Sequence, residues 1–375
     1  MGLKSLKKNG TDNFDYILFS TIIVLLTIGI IMVYSASFYQ AMIKENNGMY
    51  YFTRQLAFGI VGCVAMFILS RIDYGIWKKW VIPALVVAII FLLLLLIGPK
   101  AILHSANGAT RWIKLGPMTF QPSEIAKYAI VLYLASALST KGEKIKTVKG
   151  FGGPLLVAVL FAGLVLAHNN LSIASVIMFV TISMIFVAGA KLTHMGMLGL
   201  AGFCAGVLGI FIQPYRVARL MNFINPWKDA AGDGYQLIQS FYSLGAGGVV
   251  GLGLGKSRQK TMYMPEPHND FIFSIIGEEL GLIGCTFIIA LFILFIYRGI
   301  KISIAAKDVY GTLLAVGITA IIAFQAIINI AVVSGSMPVT GVPLPFISYG
   351  GTSLVINLSA MGILLNISRQ SKKTI

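Results

Sequence analysis

Asp270 stands where a polar, proline-bounded approach meets an apolar run, in the stretch Met264–Gly281, MPEPHNDFIFSIIGEELG, which also carries Glu266, His268, Glu278 and Glu279. An acidic side chain in hydrocarbon costs about 2.5 kcal/mol or more, so ionisable residues in such runs face a protein interior or a watery cavity and point to function. At that boundary Asp270 can serve as a general base, provided it reaches the proton it removes. Asn269 and Asp270 also suit the N-cap of the helix the apolar run predicts, and capping and catalysis are compatible. His268 reads as a polar scaffold residue or substrate contact, and Glu266-x-His268-x-Asp270 as a weak metal pattern. Glu278 and Glu279, roughly two helical turns deeper, read as buried support or cavity lining.

Other residues could join that chemistry. Glu124 and Lys127, in NGATRWIKLGPMTFQPSEIAK, are spaced to share a helix face and pair. They form either an intramembrane ion pair under an interfacial loop or part of the cavity that holds Asp270. Trp112, in the same stretch, suits a membrane interface or contact with a lipid-borne substrate. Arg216 and Arg219 share a face if helical and suit bidentate phosphate recognition, or else touch solvent and headgroups. Lys256, Arg258 and Lys260 follow a glycine-rich LGAGGVVGLGLG. The Walker pattern needs glycine where Val250 stands, so no phosphate loop is predicted; close backbone packing or a flexible flap accounts for the glycines. In PVTGVPLPFISYGGTSL, Pro338, Pro343 and Pro345 exclude a regular helix, and Gly350 and Gly351 permit close backbone approach. Gln325 and Asn329, one helical turn apart, are placed to hydrogen-bond across helices.

The elements that must hold these groups follow from composition. Of 375 residues 57% are hydrophobic and 11% charged, against roughly 25% charged in soluble domains, and mean hydropathy is +0.85. The chain therefore reads as an all-α polytopic membrane protein. Its net charge of +16 comes without a basic amphipathic element or a base-stacking platform, which excludes nucleic acid. Cys63, Cys204 and Cys285 lie in separate apolar runs without metal or disulfide spacing. The first apolar segment has no small-residue cleavage site and is expected to be a retained span. About ten runs are long enough to cross a bilayer as helices; His168-Asn169-Asn170 either separates the fifth from the sixth or breaks one kinked helix.

Charge decides between those options. Ten spans with both termini cytoplasmic put more than half of the 29 basic residues inside, in the tails and around Arg71, Lys78, Lys79, Lys141 to Lys149, Lys191 and Arg298 to Lys307, as the positive-inside rule requires. Merging the two spans would move Lys191, Arg298 and the C-terminal cluster outside. Lys100, Arg111, Lys114, Arg216, Arg219, Lys228, Lys256, Arg258 and Lys260 remain on the outer face, against the bias, and point to an anionic ligand there. The layout expected is one membrane domain: a tail 1–15, spans one to seven over 16–212, a large extracytoplasmic loop 213–270, spans eight to ten over 271–368, and a tail 369–375.

NGATRWIKLGPMTFQPSEIAK, NPWKDAAGDGYQLIQS, GLGLGKSRQK, PEPHNDFIFSIIGEELG and PVTGVPLPFISYGGTSL, in this order, resemble the signatures of the SEDS family, the FtsW, RodA and SpoVE proteins of bacterial shape, division and sporulation. The resemblance runs from about Asp15 to Arg369, and VTGVPLPFISYGGTS with the terminal NISR resembles the FtsW/SpoVE branch more than RodA. It implies a ten-span glycosyltransferase of the bacterial cytoplasmic membrane that polymerises peptidoglycan from lipid II on the outer face, for cell division or the spore wall, releasing undecaprenyl pyrophosphate. It implies Asp270 as the essential aspartate and base on the acceptor hydroxyl, and needs for Trp112 and Glu124, with Lys127 close by. It also implies a class B penicillin-binding protein as partner, among other membrane proteins of the division or elongation complexes. The cationic residues of the outer loop suit a pyrophosphate leaving group. A divalent cation, magnesium or manganese, could share that role, although the sequence shows no dedicated metal cage.

One stretch departs from the family: where many members carry Gln/Glu-Pro-Asp-Leu-Gly, this chain has His168-Asn169-Asn170-Leu171-Ser172, and no role is carried over to it. Two other readings stand beside the polymerase. A transporter that flips lipid II would use intramembrane carboxylates and broken backbone near the midplane, in two related halves, and no such halves are visible. A non-catalytic scaffold for the penicillin-binding protein would not need Asp270.

Overall fold

The computed structural model describes residues 13–99, 103–106, 109–116 and 118–371; Lys100, the Asn107-Gly108 turn and the basic residues of both tails' ends lie outside them. Among the described residues there are twelve α-helices. Eight of them, α1 (Tyr16–Glu45), α2 (Tyr50–Leu69), α3 (Trp77–Ile97), α5 (Val148–Ala167), α7 (Leu192–Phe211), α10 (Ile272–Ala305), α11 (Val309–Val333) and α12 (Gly351–Arg369), are long and apolar enough to cross a membrane. The shorter α4 (Pro122–Ser139) and α6 (Leu171–Val187) pack among them against α11. Together they make the ten spans of a multi-pass membrane protein.

Local chemistry starts these helices. Asp15, Asn170 and Asp308 cap α1, α6 and α11 by accepting the amides of Leu18, Ile173 and Gly311 at 2.9, 3.2 and 2.7 Å. Pro122 and Pro214 open α4 and α8 (Pro214–Ile224), where the missing N–H has no helical partner to lose. The α5 and α6 helices are separate, joined by a left-handed residue, Asn169 at φ 55°. Packing then relies on small residues, as it must where lipid is as apolar as the side chains. A Cβ on Gly62 of α2 would lie 2.5 Å from Leu358 of α12, and one on Gly362 would lie 2.5 Å from the Met66 carbonyl. At the opposite end from Asp270, Arg298 of α10 grips Asp15 at 2.8 and 2.9 Å, and Ser368 of α12 meets the same residue. The α7 helix lies at the edge, mostly exposed, touching α6 and α8.

Two features depart from an all-helical reading. The stretch expected as an interfacial loop folds as an antiparallel sheet of β1 (Leu103–Ala106), β2 (Ala109–Leu115) and β3 (Met118–Phe120), in that order. Ile113 pairs with Phe120 across β2 and β3, and both are buried against Leu95 of α3. Alternation along a strand puts Arg111 on the side of Ile113 and Trp112 on the other. The long connection 213–270 is also structured, holding α8 and α9 (Tyr235–Gly247).

The α10 helix breaks at Gly281 (φ 66°, ψ −165°). The break frees backbone groups that a membrane interior would not tolerate unpaired, and the glycine-rich segment takes them. Leu252 and Gly253 donate to the carbonyls of Glu278 and Glu279, while Leu282 and Ile283 donate to those of Gly248 and Val249, at 2.9 to 3.1 Å. A Cβ on Gly251 would lie 2.2 Å from the Glu279 carbonyl. Close backbone packing, not a flap, explains these glycines.

Candidate active site

Asp270 lies two residues before α10, in a segment clasped by the irregular 338–350 stretch. Tyr349 donates to the His268 carbonyl (2.9 Å), Ser348 to that of Asn269 (2.9 Å), and Asn329 of α11 to that of Asp270 (2.7 Å). A Cβ on Gly341, at φ 72°, would lie 3.2 Å from Asp270 Oδ2, so the loop approaches the carboxylate closely because no side chain stands there. The Asp270 side chain does not cap α10; Phe271 is the cap residue and no side-chain bond closes that end. Among the described residues nothing hydrogen-bonds the Asp270 carboxylate.

Its surroundings are charged. By exposed area Asp270 is half-buried, yet protein surrounds it densely enough that desolvation, helped by Glu266, raises its pKa to about 6, against the opposing pull of Arg219 and Arg111. Arg219, on α8, donates to the Val339 carbonyl at 3.1 Å. Arg111, on β2, donates to the carbonyls of His168 and Asn169 at the α5–α6 turn. Burial and the neighbouring Arg219 lower the Arg111 pKa, while Tyr215 and Asp270 raise it; an arginine stays charged throughout. Tyr215 completes the group: its hydroxyl donates to the Asn169 carbonyl (3.4 Å) and accepts from Arg216 (3.0 Å), and its ring lies under Arg219.

The sequence thus placed Asp270 and Arg219 together but left Arg111 among the outer basic residues and gave Tyr215 and the Asn169 turn no part. Only the misplaced charge of Arg111 could have flagged it; the backbone carbonyls that aim it leave no trace in side-chain identity. Arg216 is buried, bound to the Gly209 carbonyl at 2.7 Å, and its charge holds α7 to α8.

Other expected contacts are placed elsewhere. Glu124 and Lys127 are each 1% exposed, 3.0 Å apart, with Glu124 accepting from Ser353 of α12; they form a buried clamp between α4 and α12. Trp112 is half-buried, edge-on to His104. His268 is wedged against Tyr51 and Tyr349; burial, with Lys44 nearby, lowers its pKa to about 3, so it stays neutral. Lys260 is buried in a bond to Glu279 (2.7 Å) and Ser35 (2.9 Å), so its charge is already neutralised and it is no free phosphate ligand. Lys256 and Arg258 are exposed. Glu278 accepts from Ser257, Ser243 and the Arg258 amide at 2.5, 3.2 and 2.8 Å. Asn329 bonds the backbone of 270 and 342 rather than a neighbouring span. Gln325 lines a small recess of about 20 Å³ with Pro343, Pro345 and Gly350; a Cβ on Gly351 would lie 2.5 Å from the Phe58 ring.

No three His, Cys, Asp or Glu side chains among the described residues are grouped to hold a metal, and Glu266, His268 and Asp270 do not converge. A family model described as cell cycle protein, FtsW/RodA/SpoVE, matches residues 16–373. Stage V sporulation protein E of Bacillus subtilis (strain 168) is 45% identical over 362 residues, 96% of this chain and 98% of that protein. A probable peptidoglycan glycosyltransferase FtsW of Geobacter sp. (strain M18) is 40% identical over 365 residues, 96% of this chain and 98% of that one. Among solved structures, a chain from a peptidoglycan synthase complex that coordinates polymerization and crosslinking superposes with a TM-score of 0.78 at 28% identity, over 95% of this chain and 98% of its own. The rod shape determining protein RodA of Thermus thermophilus gives 0.72 at 26%, over 96% and 98%. From the ten spans, the motif order and these matches, the chain belongs to the FtsW/RodA/SpoVE family of cell cycle proteins.

Proposed function

We propose that this protein is a peptidoglycan glycosyltransferase that joins lipid II units into glycan strands at the outer face of the cytoplasmic membrane, and that Asp270 is its general base. The observation that carries the reading is a half-buried carboxylate with no hydrogen-bond partner among the described residues, set in the field of Arg111 and Arg219. A base works best with a pKa near the operating pH, and a value of about 6 leaves Asp270 ionised at neutral pH without making it inert. In the step it serves, the acceptor 4-hydroxyl attacks the anomeric carbon of the donor sugar. The hydroxyl proton passes to Asp270, and the bond to the phosphate oxygen breaks, undecaprenyl pyrophosphate leaving with the electron pair. Arg111 and Arg219 supply positive charge where the departing diphosphate gains negative charge.

The basic residues of the short loops support an orientation with both termini and the Asp15–Arg298 end cytoplasmic, which puts Asp270, the sheet and the 213–270 connection outside. Residues 1–375 then form one membrane domain, with the tails, span groups and outer loop divided as the sequence predicts. The peptidoglycan synthase complex that the fold resembles supports a class B penicillin-binding protein as partner, alongside other membrane proteins of the division or elongation machinery. The test is conversion of labelled lipid II to glycan strands by the purified protein with its partner. Wild type is expected to polymerise and Asp270→Ala, expressed to the same level and as thermally stable, to lose strand formation. Near-normal strands from Asp270→Ala would defeat the assignment of the base.

A further inference from the structure

A second recess opens beside Arg219. It encloses about 230 Å³ between α8, the turn that starts α9, Pro265 and Val339. That is below the roughly 300–1,000 Å³ of sites that enclose a drug-sized molecule, so it admits one ring or a short polar segment of a larger substrate. Its walls carry Asn222, Asp233 and Gln236 beside the rings of Phe223 and Tyr235. None of those three polar side chains makes a side-chain hydrogen bond among the described residues, so donors and acceptors converge on a space the protein leaves unfilled.

The turn is built rigidly. The Asp229 carbonyl accepts the amides of Gly232 and Gly234, and its carboxylate accepts that of Asp233 at 3.0 Å. A Cβ on Gly234 would lie 2.2 Å from the Pro226 carbonyl. Arg219 connects the recess to the base, since it lines the one and acts on the carboxylate of the other.

We infer that this recess is the acceptor saccharide subsite, seating a hydroxyl- and amide-bearing sugar so that its 4-hydroxyl is delivered to Asp270. The inference rests on the glycosyltransferase reading. Charge selects the acceptor over the donor diphosphate, because Asp233 shares the recess wall with Arg219 and a carboxylate repels phosphate. Aromatic faces take the apolar side of a sugar ring, and the amides and carboxylate take its hydroxyls and N-acetyl group.

Lipid II is both donor and acceptor, so the test separates the roles with an analogue epimerised at the 4-hydroxyl, which donates but cannot accept. Asn222→Ala with Gln236→Ala is expected to raise KM for a lipid-linked glycan acceptor about tenfold, the loss of one or two hydrogen bonds, while KM for the donor analogue stays put. A wild-type acceptor KM in that variant overturns the subsite. An effect that disappears with an acceptor lacking its stem peptide also overturns it, since the recess would then hold peptide. Failure of the underlying reading looks different: wild type itself would not polymerise. Thermal unfolding of the variant, expected to match wild type because the residues are not in the core, separates loss of binding from loss of fold.

Discussion

The molecule holds two carboxylate sites on neighbouring turns of one segment, and they are built in opposite ways. Glu278 and Glu279 are buried and saturated: three hydroxyls, three backbone amides and the Lys260 ammonium reach them. Asp270 is half-buried and its carboxylate accepts nothing among the described residues, with two guanidiniums held near it by backbone carbonyls. A carboxylate ringed by donors has its negative charge used within the protein and leaves a substrate proton little room. An unsaturated one, raised by desolvation and stabilised only by field, keeps its basicity. The proposed base thus differs from the other carboxylates of this segment in hydrogen-bond occupancy rather than in residue type.

The sharpest break of that comparison exchanges the losses. Asp270→Asn is expected to lower kcat by about 10² to 10⁴, the range a general base contributes, with unchanged thermal stability in detergent. Glu279→Gln is expected to do the reverse. It leaves the buried Lys260 charge uncompensated, which costs about 3–5 kcal/mol, read as a large fall in Tm. Replacing both partners, Glu279→Leu with Lys260→Met, should recover most of that loss, because a buried pair replaced by apolar side chains is often neutral. A double variant as unstable as the single one would show that Glu279 acts on the glycine-rich segment by another route.

The comparison was only half legible in the sequence. Apolar run lengths fixed the spans, and the proline-rich 338–350 stretch announced irregular backbone where the structure has it. The motif around Asp270 marked a carboxylate that no hydrogen bond occupies among the described residues. What could not be read was which carboxylates were already satisfied. Ser35, far away in the chain, and the amides of 257–259 supply those bonds, and backbone amides have no side-chain signature. Lys260 was misplaced for the same reason: in the sequence it is one of three loop cations, and only its burial beside Glu279 separates it from Lys256 and Arg258. The sheet was missed because β1 and β3 are short and sit among membrane helices, where period-two alternation over a few residues carries little weight.

A smaller effect tests the field around Asp270. The carboxylate must be ionised to accept a proton, so activity is expected to rise with pH through about 6 and to level off above it. Arg219→Gln removes a group that lowers this pKa, so the acid limb should move to higher pH, by about one unit, the low end of what an opposite charge contributes. Arg111→Gln should move it the same way, and Glu266→Gln, which removes a repelling charge, the opposite way. His268 stays neutral across that range, so it should add no second limb. An Arg219→Gln profile that superposes on wild type would mean that the arginine acts on substrate alone.

The smallest expected effect lies at the turn that aims Arg111. Asn169 adopts φ 55°, a conformation glycine and asparagine accept and a β-branched residue does not, and its carbonyl receives both Arg111 and Tyr215. Asn169→Gly should therefore keep activity and pH profile close to wild type. Asn169→Val forces a strain of about 1–3 kcal/mol, which the turn can relieve by rotating its carbonyl away from Arg111. The acid limb should then shift upward in the direction of Arg111→Gln but by less, because the guanidinium is displaced rather than removed. The readout that matters is the pH limb rather than the rate, since a merely destabilised turn would lower the amount of active protein without moving the pH at which Asp270 ionises. If valine lowers activity with an unshifted limb, the turn supports only the α5–α6 packing and Arg111 is aimed by the sheet.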